Sequence, residues 1–198
     1  MSNIGVFLDR DGTVNEEVDF LSSPDNLHLL PGSADAIRQA NELGCKVFII
    51  TNQSGIARGL LTERRLAEIH QNLLQQLESH GARITAIYYC PHHPENGNPP
   101  YRVECECRKP NTGMLTRAAK DYTLNLKKSF VIGDKMIDIQ TGNNVGATSI
   151  LVLTGYGKQE LELCRQKKVH IDYVASNLLD AVKYIQHAVQ KKQPQTFH

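Results

Sequence analysis

Val6-Phe7-Leu8-Asp9-Arg10-Asp11-Gly12-Thr13-Val14 is the stretch on which the reading of the whole chain turns. An apolar run stops at two carboxylates spaced i and i+2, and a glycine turn follows at once. A short apolar run bounded by a turn signal reads as a buried strand. Strand ends are rigid mounts, and ligands of open α/β sheets bind beyond the carboxyl ends of the strands. Two carboxylates held there can grip a divalent cation, or one can attack while the other moves protons. Read alone, the segment is equally a strand running into an acidic turn, since Asp and Gly are ordinary turn residues.

Outward from this strand, β-rich apolar runs alternate with helical patterns. Strands are expected at Ile4–Leu8, Lys46–Ile50, Ile84–Cys90, Ser129–Ile132, Ser149–Leu153 and Tyr173–Ala175. Helices are expected near Ala34–Leu43, Glu63–Ser79, Gly113–Tyr122, Ile137–Asn144, Gln159–Lys167 and Leu178–Gln190. The second of these places Leu66, Ile69, Leu73, Leu74 and Leu77 on one face behind Thr62, a candidate N-cap. Gly44 and Gly81 lie where helix C-termini favour glycine. The alternation predicts an α/β fold, a three-layer sandwich around a mostly parallel Rossmann-like sheet with right-handed crossovers. Pro91–Arg108 breaks the pattern. It is too polar for a core element and too long for a routine connection, so a function or a metal should hold it. We expect one domain over residues 1–190, no large cap domain, and a frayed polar tail at 191–198.

The chain has 198 residues and a formal net charge of +1, which argues against nucleic-acid and acidic-membrane partners. No apolar run is long enough to span a bilayer, and no signal-peptide pattern opens the sequence. A cytoplasmic protein is the expectation, and a monomer, because no heptad or broad apolar face stands out. Five cysteines in such a protein point to a metal site before a disulfide framework.

The second strand ends at Thr51-Asn52-Gln53-Ser54-Gly55, a hydroxyl and amides suited to a phosphate or sugar oxygen. The fourth ends at Gly133-Asp134-Lys135, with Asp138 four residues beyond Asp134, and Arg108-Lys109-Pro110 places two cations before a helix. Each alone is an ordinary loop. Together, strand ends of complementary type (acid, hydroxyl, acid, with a lysine nearby) would converge. Carboxylates about 4 Å apart repel by about 4 kcal/mol per pair at an effective dielectric of 20. A divalent cation removes that cost, and all-oxygen ligands with room for water and phosphate suit Mg2+. A lysine and a hydroxyl beside it make a cradle for a phosphoryl group.

Cys90-Pro91-His92 and Cys105-Glu106-Cys107 flank the polar loop, giving three thiolates and an imidazole that fit a closed tetrahedral Zn2+ site. His93 is adjacent and could exchange with His92 as ligand. Such a metal would supply folding energy to an irregular loop and position Arg108 and Lys109, without catalysis of its own. Cys45 and Cys164 read as buried side chains.

Asp9-Arg10-Asp11-Gly12-Thr13, Thr51, Lys109 and Gly133-Asp134 with Asp138 resemble, in order and spacing, the four motifs of haloacid-dehalogenase-type phosphatases. The resemblance implies a nucleophile at Asp9 that forms an aspartyl-phosphate. It implies a general acid/base at Asp11, phosphoryl stabilisation by Thr51 and Lys109, and Mg2+ on the Asp9 carboxylate, the Asp11 carbonyl and Asp134. Like-charge repulsion would raise the pKa of Asp11, as an acid requires. The zinc loop narrows the resemblance to the branch holding D-glycero-D-manno-heptose-1,7-bisphosphate 7-phosphatases and histidinol-phosphate phosphatases. The long Pro91–Glu104 loop, and the stretches Thr51–Gly59 and Cys107–Pro110, are similar to the heptose enzymes. The implied substrate is then a small sugar bisphosphate in ADP- or GDP-heptose supply for surface polysaccharide. Histidinol phosphate or another small sugar phosphate is the alternative. The implied substrate contacts are Glu17, Val18, Asp19, Phe20, Thr51, Asn52, Gln53, Ser54, Arg108, Lys109 and Lys135, with Arg108 suited to the second phosphate. Val18-Asp19-Phe20 stands where many heptose phosphatases carry His-Gly-Tyr.

Overall fold

In a computed structural model of the chain, which describes residues 3–190, six strands form one sheet. The strands are β1 (Gly5–Leu8), β2 (Lys46–Asn52), β3 (Ala86–Cys90), β4 (Phe130–Gly133), β5 (Thr148–Val152) and β6 (Tyr173–Ala175). Their order is β3-β2-β1-β4-β5-β6, and every pairing is parallel. The helices are α1 (Ser33–Glu42), α2 (Glu63–Ser79), α3 (Gly113–Tyr122), α4 (Met136–Val145), α5 (Gly157–Gln166) and α6 (Leu178–Gln190). Short 3-10 turns occupy Pro24–Asn26 and Leu126–Lys128. The expected strands and helices all form, with ends displaced by up to two residues. The expected tail, 191–198, lies outside the described residues.

Period-two alternation divides the core. Val6 and Leu8 join Val47, Ile49 and Ile132 on the face covered by α1, α2 and α6. Phe7 points to the other face with Phe48, Ile50 and Val131, under Met114, Leu115 and Ala118 of α3. Phe7 and Phe48, paired in register, stack at 5.1 Å. Gly142 brings α4 onto this second face, where an added Cβ would lie 3.0 Å from Val131. Both faces are covered, which is why the strands read as continuous apolar runs. Thr62 caps α2 by accepting from the Arg65 amide. Cys45 and Cys164 are buried.

This topology fixes where a ligand goes. Successive strands step outward from β1 to β3 on one side and from β4 to β6 on the other. The direction of winding reverses between β1 and β4, and a crevice opens there beyond the strand ends. The Asp9 amide donates to the Ile132 carbonyl at 2.9 Å, so the first residue past β1 is pinned at that switch point. No helix among the described residues is long and apolar enough to cross a membrane.

Candidate active site

Asp9 leaves β1 into the crevice, and Lys109 enters from the loop before α3. The Lys109 ammonium lies 2.9 Å from Asp9 Oδ1 and 2.6 Å from Asp138 Oδ1, and donates to the Ile50 carbonyl at 2.9 Å. Burial pulls the Lys109 pKa down, but Asp138 and Asp9 outweigh it and hold the lysine above its ordinary range. Asn52, at the end of β2, spends its amide on the Lys109 backbone, accepting from the amide at 3.1 Å and donating to the carbonyl at 3.2 Å. It therefore positions Lys109 as well as bordering the cavity.

Asp9, Asp134 and Asp138 present carboxylate oxygens that all lie within 4.8 Å of one another. Asp134 Oδ2 accepts the Tyr156 amide at 2.9 Å, whereas the buried Oδ1 has no hydrogen-bond partner among the described residues. Burial, with Asp9 and Asp138 alongside, pushes the Asp134 carboxyl up to about 8. Glycines make the space. A Cβ on Gly12 or on Gly155 would fall 2.3 Å from Asp134 Oδ2. An orphaned carboxylate oxygen among buried acids is a site whose electrostatics favour a cation, and hard oxygen donors suit Mg2+.

Asp11 differs from expectation. Its oxygens accept from Arg10 Nε and Nη2 at 3.0 and 2.8 Å, from Asn15 at 2.9 Å and from Gln53 at 3.0 Å. Burial alone would raise its pKa, but the Arg10 guanidinium and these donors outweigh it, and the carboxyl lies below its ordinary range. Repulsion from Asp9 does not govern this group, because a fully buried guanidinium stands against it. Arg10 was missed as a site residue in the sequence. The available signal was its place between two acids at the end of an apolar strand, since a buried arginine must be paired. His70, from α2, completes the arrangement with Nε2 3.3 Å from Arg10 Nη1. Gln53 also donates to Thr51 Oγ1 at 2.9 Å, linking the hydroxyl to Asp11.

A cavity of about 250 Å3 opens over these groups, bordered by Asp11, Glu17, Asp19, Phe20, Asn52, Gln53, Ser54, Arg108 and Lys135. Val18 lies outside that border with its side chain exposed. Lys135 pairs with Glu17 at 2.7 Å. Larger hollows of about 440 and 380 Å3 lie along the cysteine loop. Size does not locate the chemistry here: the smaller cavity is the one bordered by Asp11, Gln53 and Lys135, whereas Lys109 borders the hollow of about 380 Å3.

The cysteine loop closes on itself. Cys90 and Cys105 sulfurs are 3.5 Å apart, Cys105 and Cys107 3.3 Å, and His92 Nδ1 lies 3.4 Å from Cys107 and 3.8 Å from Cys90. A tetrahedron with metal–sulfur bonds of about 2.3 Å has edges of about 3.8 Å, so these atoms fit one tetrahedral ion. Burial raises the Cys90 and Cys107 thiols above their ordinary range, so holding them as thiolates calls for a cation. His93 is spent elsewhere, its Nδ1 accepting the Glu95 and Asn96 amides at 3.1 and 3.0 Å. The His92 carbonyl accepts from Arg108 Nη1 at 3.0 Å, tying the cluster to the cavity wall.

The parallel sheet, its switch point and the Asp9–Lys109 pair define a phosphoric monoester hydrolase of the haloacid-dehalogenase type. A family model described as HAD-hydrolase-like matches residues 106–181. A D-glycero-D-manno-heptose-1,7-bisphosphate 7-phosphatase from Thermosynechococcus vestitus is 41% identical over 189 residues, 93% of this chain and 96% of that one. A D-glycero-beta-D-manno-heptose-1,7-bisphosphate 7-phosphatase from Yersinia pestis is 36% identical over 182 residues, 91% of this chain and 94% of that one. The chain belongs to the D-glycero-D-manno-heptose-1,7-bisphosphate 7-phosphatase family. Among solved structures, the D,D-heptose 1,7-bisphosphate phosphatase from B. bronchiseptica, complexed with magnesium and phosphate, superposes with a TM-score of 0.83. It is 34% identical and covers 93% of this chain and 99% of that one.

Proposed function

We propose that this phosphatase hydrolyses the 7-phosphate of D-glycero-D-manno-heptose 1,7-bisphosphate through an aspartyl-phosphate on Asp9, with Mg2+ in the site. The observation that carries the reading is the buried Asp9 carboxylate facing Lys109 at 2.9 Å, beside the unpartnered Asp134 Oδ1. The Asp9 and Asp134 carboxylates and the Asp11 carbonyl would hold Mg2+. Its charge would offset both the acidic cluster and the phosphoryl oxygens. Asp9 attacks phosphorus in line with the leaving sugar oxygen. Lys109 and Thr51 hold the phosphoryl oxygens as charge spreads over them. Asp11 gives a proton to the leaving oxygen, then takes one from the water that cleaves the aspartyl-phosphate. The negative charge of the entering phosphate raises Asp11 toward the protonated form that this step needs, against Arg10.

Arg108 suits the distal phosphate, since its planar fork matches a phosphate better than an ammonium does. The Cys90, His92, Cys105 and Cys107 set would hold a structural Zn2+, with four protein ligands and no open position for chemistry. In this reading residues 1–190 act as one domain, in a cytoplasmic monomer that feeds nucleotide-heptose synthesis for lipopolysaccharide. The test is phosphate release from the α and β anomers of the heptose bisphosphate, with fructose bisphosphate and histidinol phosphate as controls. A preference of at least about tenfold in kcat/KM for one heptose anomer is expected, about 1.4 kcal/mol of transition-state discrimination. Faster turnover of histidinol phosphate would replace the reading with that of a histidinol-phosphate phosphatase.

A further inference from the structure

The loop Glu17–Phe20 borders the cavity through Glu17, Asp19 and Phe20 and is fastened on both sides. Glu17 accepts from Lys135 at 2.7 Å, and the Phe20 ring lies under the Arg58 guanidinium at 5.8 Å. Between them, Asp19 adopts φ +54°, a left-handed backbone uncommon for a residue with a side chain. Something must hold it, and the loop carries no hydroxyl of its own. The Tyr156 hydroxyl donates to Asp19 Oδ1 at 2.8 Å.

Tyr156 is itself unusually well anchored. Thr154 Oγ1 donates to the Gly12 carbonyl at 2.6 Å, the Tyr156 amide donates to Asp134 Oδ2 at 2.9 Å, and Gly155 packs between these points. The ring lies 4.9 Å from the Lys135 ammonium, within cation–π range. Tyr156 does not border the cavity, so it reaches the site through Asp19 and Lys135, both of which do.

We propose that Tyr156 is a positioning residue that sets specificity for polyhydroxylated sugar phosphates. It orients the Asp19 carboxylate and the Lys135 ammonium from behind the cavity wall. A carboxylate offers about four acceptor directions, so one tyrosine hydroxyl fixes its orientation and leaves capacity for sugar hydroxyls. The inference rests on the sugar-bisphosphate reading above.

The experiment compares the full-length wild type with Tyr156→Phe, Asp19→Gly and the double variant. Glycine is chosen because it tolerates the left-handed backbone at that position. The substrates are the heptose bisphosphate and para-nitrophenyl phosphate, an aryl ester with no sugar. Tyr156→Phe is expected to raise KM for the bisphosphate about fivefold, the scale of one partly exposed hydrogen bond to a charged group, with kcat within about twofold. Its constants for the aryl ester should match those of the wild type. In the Asp19→Gly background, the tyrosine change should add less than about twofold. An unchanged KM, an equal loss on the aryl ester, or additive effects would each overturn the inference while leaving the proposed function standing. A wild type inactive on both heptose anomers would overturn both readings.

Discussion

Lys109 Nζ donates to Asp138 Oδ1 at 2.6 Å, with only 1% of either side chain reaching solvent. Asp138 does two jobs from this position, because its other oxygen accepts the Lys135 amide at 3.1 Å and caps α4. One carboxylate thus fixes both the lysine beside the nucleophile and the turn that carries Asp134.

Replacing Asp138 by Asn keeps the volume and removes the charge. Lys109 is then left buried with Asp9 as its remaining carboxylate partner among the described residues. Removing one member of a buried pair costs about 3 kcal/mol. For a chain of this size that corresponds to a fall in Tm of about 10 °C. Urea and thermal unfolding measure both. Wild-type stability in the variant would show that the pair contributes nothing net.

The nucleophile gives a sharper outcome. Asp9→Asn keeps a hydrogen-bonding group beside Lys109 but removes the attacking charge, so phosphate release should drop by at least about 10^4-fold. Circular dichroism should report an intact fold. Near-normal turnover would remove Asp9 from the mechanism and the aspartyl-phosphate with it.

The difference between Asp9 and Asp138 shows what a sequence exposes. Asp9 ends an apolar run next to a glycine turn, and that local pattern carries strand, turn and chemistry together. The six strands were legible for the same reason, because both faces of a parallel sheet are buried and each strand reads as a short apolar run. Their exact ends were not. β3 begins at Ala86 rather than Ile84, because pairing with Phe48 sets its start. Partners fixed by the tertiary fold left no such trace. Nothing in the chain order joins Asp19 to Tyr156, or Arg10 to His70, which are 137 and 60 residues apart. The Asp11 expectation failed because the fold, not chain order, decides which way a neighbouring side chain turns. Its neighbour in sequence, Arg10, turns inward and outweighs the repulsion expected from Asp9.

The cysteine cluster leads to a metal-content prediction. Cys107→Ser should lower bound zinc from about one ion per chain to near zero, read by a chromophoric chelator after denaturation. Arg108 follows directly in the chain and donates to the His92 carbonyl, so the loss should spread to the cavity wall. Faster amide exchange across residues 91–108 is the structural readout. A variant that keeps its zinc would show that Cys107 is not a ligand.

His70 carries a prediction about acid stability. Burial, with the Arg10 guanidinium beside it, lowers its pKa from 6.5 to about 3. The unfolded chain therefore binds a proton at this histidine below about pH 6.5, whereas the native state stays neutral until about pH 3. The contribution of this group to stability is complete above pH 6.5 and is lost as the pH falls through that window, at up to about 1.4 kcal/mol per pH unit. His70→Gln keeps an acceptor for Arg10 and removes the titration. Urea unfolding at pH 7, 6 and 5 should therefore show a shallower loss of stability in the variant than in the wild type. Equal slopes would place the acid sensitivity elsewhere, and His70 would then act on Arg10 through packing alone.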